Sequence, residues 1–375
     1  MSAAKATDKE ILAALGQVNG QRAAAARLLG MSSRALMARL DSMRGKGITI
    51  PPSGYHPATA AHRAAGTETR PAKLETVEIP RLPDGRIDIG DLIARRKSAF
   101  ERRDEAARAR KIIPVKVRSR APIGIVLLGD PHVDDDGTDL GRLERDIAAI
   151  RRTDGMFAAC VGDLQNNWVG RLARLYGSQE TTAEQAWQLV EWFVRELRHD
   201  WLFMVQGNHD HWSGAGDPLR WIQRQASVSL TGDHTVRIAL SFPNGVEIRL
   251  AARHDWPGNS MWNPSHGQLR AARLTHHDDI IVSGHKHTGG YQLIRNIATG
   301  RLAHLLQLGS YKTHDSYADT LGLPMQMISP SAAVIIDPMG GDGGTVRVEH
   351  DIDAAADLLT WMRERHGQRF GEEAA

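Results

Sequence analysis

The chain has 375 residues, 41% of them hydrophobic and 24% charged, which suits a globular protein of two or three domains. No uncharged apolar stretch approaches the ~18 residues of a membrane span, and Lys5, Asp8, Lys9 and Glu10 break up the N-terminus where a signal peptide needs an apolar core. The single cysteine, Cys160, excludes an internal disulfide framework and a Cys-ligated zinc finger. A cytoplasmic protein with no membrane partner is expected. The net charge of +3 conceals an asymmetry: residues 1–118 hold 23 Lys and Arg against 12 Asp and Glu, the remainder 24 against 32. Basic segments suit phosphate backbones and acidic ones cations, so the two parts suggest separate tasks, although a solvated tail beside an ordinary acidic domain has the same composition.

Residues 7–44 read as three short helices. Thr7 or Asp8 caps a pattern of Ile11, Leu12, Leu15 and Val18, which Asn19-Gly20 breaks. Gln21 to Leu29 is alanine-rich, with Leu28 and Leu29 on its expected buried side, and Gly30 stops it. Ser32 or Ser33 then caps a third helix carrying Leu36, Met37, Leu40 and Met43, ended by Gly45 and Gly47. Two short helices across a tight Gly-containing turn make a helix-turn-helix pattern. The string NGQRAAAARLLGMSSRALMARL (Asn19–Leu40) resembles the Fis-type helix-turn-helix. The resemblance implies that the third helix enters the DNA major groove, with Ser33, Arg34, Met37 and Arg39 on its exposed face and Arg22 and Arg27 near phosphates. Such a module also suits dimerisation or docking, so a homodimer is a further expectation.

Residues 48–118 read as a linker. Pro51, Pro52, Pro57 and Pro71 argue against a packed core over 50–73. Residues 91–112 instead suit an exposed helix, with eight basic and three acidic residues between Arg95 and Lys111, either solvated or touching nucleic acid.

From residue 119 the texture changes. Apolar runs at 123–128, 156–161, 202–205 and 280–283 read as buried strands, and helical patterns fill 139–152 and 182–198. Residues 235–242 and 246–252 alternate around Pro243-Asn244-Gly245 as a hairpin. Strands at 302–308, 332–336 and 345–348 and a closing helix at 351–365 complete the pattern. Strands alternating with helices, then hairpins, predict an α+β fold in which sheets pack together with helices outside. The expected division is 1–47, 48–118, 119–350, and a terminal helix and tail at 351–375.

Five strand ends carry ligand-type side chains: Asp130 and His132 in GDPH, Asp163 in VGD, Asn208, His209 and Asp210 in GNHD, His254, and His285 and His287 in SGHKH. Strand C-terminal edges are where loops converge on one crevice. Alternation would put residues i and i+2, such as Asp130 and His132, on one side. Carboxylate, imidazole and amide oxygen together suit Mn²⁺, Fe²⁺ or Zn²⁺. One strand-end Asp or His alone is as readily a cap or a structural hydrogen-bonder, but five in order, each after an apolar run, form a constellation.

That order, D-x-H, GD, GNHD, a lone H and G-H-x-H, is similar to the signature of the calcineurin-like metallophosphoesterases across residues 119–350. The resemblance implies a β-sandwich flanked by helices, preceded here by the small three-helix domain, and two divalent metals, Mn²⁺ first among the choices. Asp130, His132 and His287 would hold one metal, Asn208, His254 and His285 the other, and Asp163 would bridge. His266, His276 and His277 lie near His254 in sequence, but His254 ends a hairpin strand. The implied chemistry is hydrolysis of a phosphoester by water activated at a two-metal centre. His209 would protonate the leaving group or steady the transition state, oriented by Asp210. Asn166, Asn167, Trp168 and Trp212 are candidates for substrate contact; Trp168, Trp212, Trp256 and Trp262 each follow a metal motif and either stack a base or pack the loops against the sandwich. Gly309-Ser310-Tyr311 resembles a structural turn of that family, and Cys160 reads as core.

With the basic front half, these features lead to a phosphodiesterase or nuclease acting on DNA. A phosphomonoesterase or nucleotide phosphodiesterase with a docking module is the alternative. A DNA-binding regulator with a silent phosphoesterase domain is a third, which the intact ligand set opposes.

Overall fold

Thr7 opens the first helix with a capping box: its hydroxyl accepts from the Glu10 amide, and the Glu10 carboxylate accepts from the Thr7 amide. The computed structural model describes residues 6–52, 87–211, 217–314, 319, 322, 329–341 and 343–371. The chain divides into two units, Met1–Asp88 and Ile89–Ala375. In the first, α1 (Asp8–Gln17), α2 (Arg22–Leu28) and α3 (Ser33–Gly45) enclose a core built around Ile11, Leu15, Leu36, Leu40 and Met43. Ser32 caps α3, accepting from the Ala35 amide at 3.1 Å. Gly20 and Gly30 take φ of 75° and 62° in the two interhelical turns, a conformation that favours glycine. Leu28 departs from expectation. It is 56% exposed, because Ala25 and Ala26, small enough for close helix approach, are the residues of α2 that face the core. The proline-containing linker, beyond its first residues, lies outside the described residues.

The second unit begins with α4 (Ile89–Ala109), none of whose residues is buried. This is the exposed basic helix that the charge pattern predicts. Two six-stranded sheets follow. One contains β1 (Ile113–Lys116), β6 (Thr235–Ser241), β7 (Glu247–Arg253), β8 (Ile280–Ser283), β10 (Leu302–Gln307) and β9 (Gly290–Arg295), in that spatial order. The other runs β12 (Val346–Glu349), β11 (Ser331–Ile336), β2 (Ile123–Leu128), β3 (Met156–Cys160), β4 (Trp201–Val205) and β5 (Thr231–Gly232). β2 to β5 are parallel neighbours, as are β7 and β8, while β6 and β7 form the expected antiparallel hairpin.

Side-chain alternation assigns the layers. Ile123, Ile125 and Leu127 of β2 join Val205, Ile238, Leu250, Ile280 and Leu306 in a core between the sheets. The intervening Val126 and Leu128 face outward, onto α5 (Leu140–Arg152), α6 (Ala183–Glu196), α7 (Pro218–Gln225) and α9 (Ile352–Phe370). On the far side α8 (His266–Leu274) covers Ala251, Ile281 and Leu305. Each fully buried Ile, Leu or Val stabilises the fold by about 1.5–3 kcal/mol, so these three seams, and not the loops, hold the sandwich together. Two boundaries differ from the sequence expectation. β1 already pairs with β6 upstream of residue 119, and α9 buries Ile352, Leu359 and Met362 in the outer core and so belongs to the sandwich.

Candidate metal centre and helix-turn-helix surface

The GDPH, VGD and GNHD loops leave the parallel strands β2, β3 and β4, and His254 and the SGHKH loop leave β7 and β8. Each set therefore emerges at one edge of its sheet, and stacking the sheets face to face brings the two edges together. Asp163 is central. Its Oδ2 lies 3.1 Å from His254 Nε2, and its Oδ1 accepts from the His209 amide at 3.0 Å. His254 Nε2 is 3.0 Å from Asn208 Oδ1 and 3.2 Å from His285 Nδ1, while its Nδ1 donates to the Val161 carbonyl at 2.9 Å. Donor atoms of Asp163, His254 and His285 lie within 4.8 Å of one another. Alongside, Asp130 Oδ2 is 3.1 Å from His287 Nε2 and accepts from the His285 amide. The His132 ring stands edge-on to those of His209 and His287, with centroids 5.2 Å apart in both pairs.

Charge in the crevice is set by the Asp163–His254 pair. Burial disfavours charge on His254, yet the Asp163 carboxylate beside it raises the imidazole to about 10. Burial likewise works against Asp163, but the His254, His209 and His132 rings hold its carboxyl far below the usual range. Burial, then the neighbouring His209 and His287, keeps His132 neutral, and burial with His254 lowers His285. Both ring nitrogens of His132 and Oδ1 of Asp130 are buried with no hydrogen-bond partner. Unmet polar atoms cost about 1–3 kcal/mol each. The Asp130 oxygen and the lone-pair nitrogen of His132, in a crevice of carboxylates and imidazoles, fit a first-row divalent cation, which would relieve those two.

Backbone geometry marks the same loops. Among the described residues, positive φ outside glycine occurs at Asn19, His132, Asp163, Asn167, Ser227, His285 and His287. Five of those seven are in these loops, each strained by about 1–3 kcal/mol. The left-handed turns also replace the alternation argument: Asp130 and His132 lie beyond the end of β2, and the turn, not the pleat, aims them. Glycines give the carboxylates room, since a Cβ at Gly207 would overlap Asp163 and one at Gly284 would overlap Asp130.

Several expectations are corrected. Asp210 does not orient the His209 ring. Its buried carboxylate accepts from the amides of Asp163 (2.9 Å), Gly207 (2.8 Å) and Leu164 (3.1 Å), tying the β3 and β4 loops together. Burial and the nearby Asp163 raise it to about 7. The ring of His209 is held instead through Nδ1 by the Asn166 carbonyl, and the Asn167 side-chain Nδ2 donates to the His209 carbonyl at 2.7 Å. Trp168 is 7% exposed and cannot offer a face to a base. Its indole N–H donates to Gln179 at 2.8 Å, and its ring backs His209 edge-on at 5.5 Å. Trp212 lies outside the described residues. His266 stands at the start of α8, His276 bonds Asp278, and His277 meets Asn296, so none of the three displaces His254 from the cluster. The Gly309-Ser310-Tyr311 turn holds Asp130, with the Ser310 hydroxyl donating to the Asp130 carbonyl at 2.7 Å.

Lys312 escaped the sequence reading. It is 6% exposed, 2.9 Å from Asp135 Oδ2, and 5.4 Å from the centre of the Trp168 ring. Lysine is ordinarily a surface residue, and nothing in its flanking residues marks it as buried.

In the first unit, Arg27 of α2 and Ser33, Arg34 and Met37 of α3 are exposed as expected. Two arginines are not presented. Arg39 donates to Asp8 (2.7 Å) and to the Ala6 carbonyl, fastening α3 to α1. Arg22 folds back onto the carbonyls of Gly20 and Pro51. Long side chains beside unpaired backbone acceptors satisfy those first.

Among the described residues, no helix is long and apolar enough to cross a membrane. Residues 8–42 match the family model described as bacterial regulatory protein, Fis family. No curated protein matches the chain in sequence. Among solved structures, the chain is similar to the calcineurin-like phosphoesterase YfkN from Bacillus subtilis, at 12% identity over 68% of this chain and 99% of that one, with a TM-score of 0.33. It is also similar to Vps29 of Entamoeba histolytica complexed with Zn²⁺ (14% identity, 60% and 97%, TM-score 0.30) and to the Pseudomonas putida nuclease MPE (16% identity, 60% and 85%, TM-score 0.28). At these identities and TM-scores the chemistry has to be read from the chain's own residues.

Proposed function

We propose that the protein is a divalent-metal-dependent phosphodiesterase acting on DNA. One observation supports the hydrolase above all: Asp130, His132, Asp163, Asn208, His254, His285 and His287 come from five strand ends into one crevice, where His132 and Asp130 keep buried, unpartnered donor atoms. Asp130, His132 and His287 would hold one cation and Asn208, His254 and His285 a second, with Asp163 shared. When bound, such ions supply Lewis-acid activation of water and neutralise charge at phosphorus.

The remaining work falls to the chain. His209 Nδ1 donates to the Asn166 carbonyl, which fixes the ring and leaves Nε2, 4.0 Å from Asp163 Oδ2, as the atom that delivers a proton to the leaving oxygen. Trp168 and Asn167 keep that ring and its loop in place. Asp210 maintains the spacing of the β3 and β4 loops. DNA as substrate rests on the Fis-type module, whose α3 exposes Ser33, Arg34 and Met37.

The test is hydrolysis of bis(p-nitrophenyl) phosphate and of end-labelled single- and double-stranded DNA with Mn²⁺, comparing wild type, Asp163→Asn and Arg34→Ala. Both substrates should be cut by wild type and neither by Asp163→Asn. Arg34→Ala should raise KM for DNA alone. Turnover of a phosphomonoester with all DNA untouched would overturn the nuclease reading. DNA binding with no hydrolysis of any phosphoester would make the protein a regulator.

A further inference from the structure

We propose that Met261 and Trp262, on the loop that runs from His254 to α8, form a nucleobase-stacking step, so that DNA is taken as an unpaired strand; this rests on the phosphodiesterase reading above. The two side chains are adjacent and 91% and 90% exposed. Trp256, six residues earlier on the same loop, is 5% exposed and packs under α8, so the loop buries one indole and leaves the other in water. Leaving an adjacent Met–Trp pair in water forgoes apolar burial that a stacked base would recover.

The loop is anchored at both feet. At the first, Lys286, which sits between His285 and His287, reaches the Gly258 carbonyl at 2.7 Å, the Trp256 carbonyl at 3.3 Å and the Asp255 carboxylate at 3.3 Å. The foot of the loop is thus tied to the segment that carries two of the metal-ligand candidates. At the second foot the Asn263 side chain accepts from the Ser265 amide at 3.0 Å and donates to Gln292 at 3.3 Å. Cations flank the loop as well: Arg253, 5.8 Å from the Trp256 ring centre, and the exposed Arg270, which donates to the Pro257 carbonyl. Positive charge at the base with an aromatic face beyond it is how proteins grip a single strand, the charges following phosphates while rings stack on bases. Bases inside a duplex are stacked on one another and cannot reach Trp262 without being extruded. The occupant is therefore a base of an unpaired strand.

The test uses the full chain and two labelled strands of equal length and charge, an oligothymidylate and an abasic backbone. The abasic strand subtracts every phosphate contact, including those of the helix-turn-helix. In EDTA, fluorescence anisotropy should show wild type binding oligothymidylate ~10-fold or more tightly than the abasic strand. Trp262→Ala should erase most of that preference, Met261→Ala part of it, and Trp262→Phe little. Trp361→Ala, at an exposed indole on α9 that is 52% exposed, should change nothing. With Mn²⁺, Trp262→Ala should raise KM for oligothymidylate by the same factor and leave cleavage of the abasic strand unaltered. An unchanged preference in Trp262→Ala, with DNA still cut, would overturn the stacking step alone and assign the pair to a protein or lipid surface. Failure of wild type to cut either strand would bring down the phosphodiesterase reading and the stacking step together.

Discussion

The two sheets contribute unequally to the crevice. Asp130, His132, Asp163 and Asn208 leave β2, β3 and β4, whereas His254, His285 and His287 leave β7 and β8. Both carboxylates among the ligand candidates thus come from one sheet, and the other offers imidazole alone. An acidic wall has to be held against its own repulsion, and the structure does this with backbone: three amides close on Asp210, which spaces the loops around Asp163. An imidazole wall needs only aiming, and for His254 one carbonyl, that of Val161, provides it. Cations placed between the walls would reinforce the polar contacts that already join the sheets there, from His254 to Val161 and Asp163 and from the His285 amide to Asp130.

That contrast can be broken in four ways. The largest effect belongs to Asp163. Saturating Mn²⁺ should raise the wild-type Tm by roughly 5–10 °C over the EDTA-treated protein, for binding about 100-fold above Kd. Asp163→Asn should lose both that rise and hydrolysis, and a retained Mn²⁺ response in calorimetry would remove Asp163 from the centre. Next comes His285→Gln, which takes one neutral donor from the imidazole wall and leaves both acids. Activity should fall ~10–100-fold and recover in part at high Mn²⁺. If Mn²⁺ restores Asp163→Asn equally well, the walls are equivalent and the contrast fails.

Asp210→Asn should cost about 1–3 kcal/mol in urea denaturation, because an amide offers one acceptor oxygen where three backbone donors converge. A stability equal to wild type would mean that those bonds do not hold the acidic wall. The smallest effect lies in the imidazole sheet away from the crevice. Burial depresses His304 to about 4, and its Nδ1 meets the Tyr291 hydroxyl at 2.8 Å. Against an unfolded value of about 6.5, the folded protein binds fewer protons between those limits. This contribution is therefore complete above pH 6.5 and is lost as pH falls toward 4. The urea midpoint should decline less over that window in His304→Gln than in wild type.

What could be read from the sequence follows the same physics. The strand-end residues were legible because metal chemistry restricts residue types and apolar runs fix where each strand stops. The partners of those residues were not. Asp210 adjoins His209 in sequence, yet it serves the amides of Asp163, Leu164 and Gly207. Trp168 and Lys312 became neighbours only through the β3 loop and the turn after β10. Edge strands were missed for a different reason: β1 carries Pro114 and β9 alternates half-buried with exposed residues, so neither shows an apolar run. Arg39 and Arg22 were assigned to DNA by type and helix position, which say nothing about the carboxylate and carbonyls that capture them.

The left-handed backbone at His132, Asp163, His285 and His287 carries a cost. At each position glycine would fit the turn with about 1–2 kcal/mol less strain than the residue present. Under the proposed hydrolase, the demand for a ligand side chain and the demand for a relaxed backbone therefore oppose each other at the same four codons.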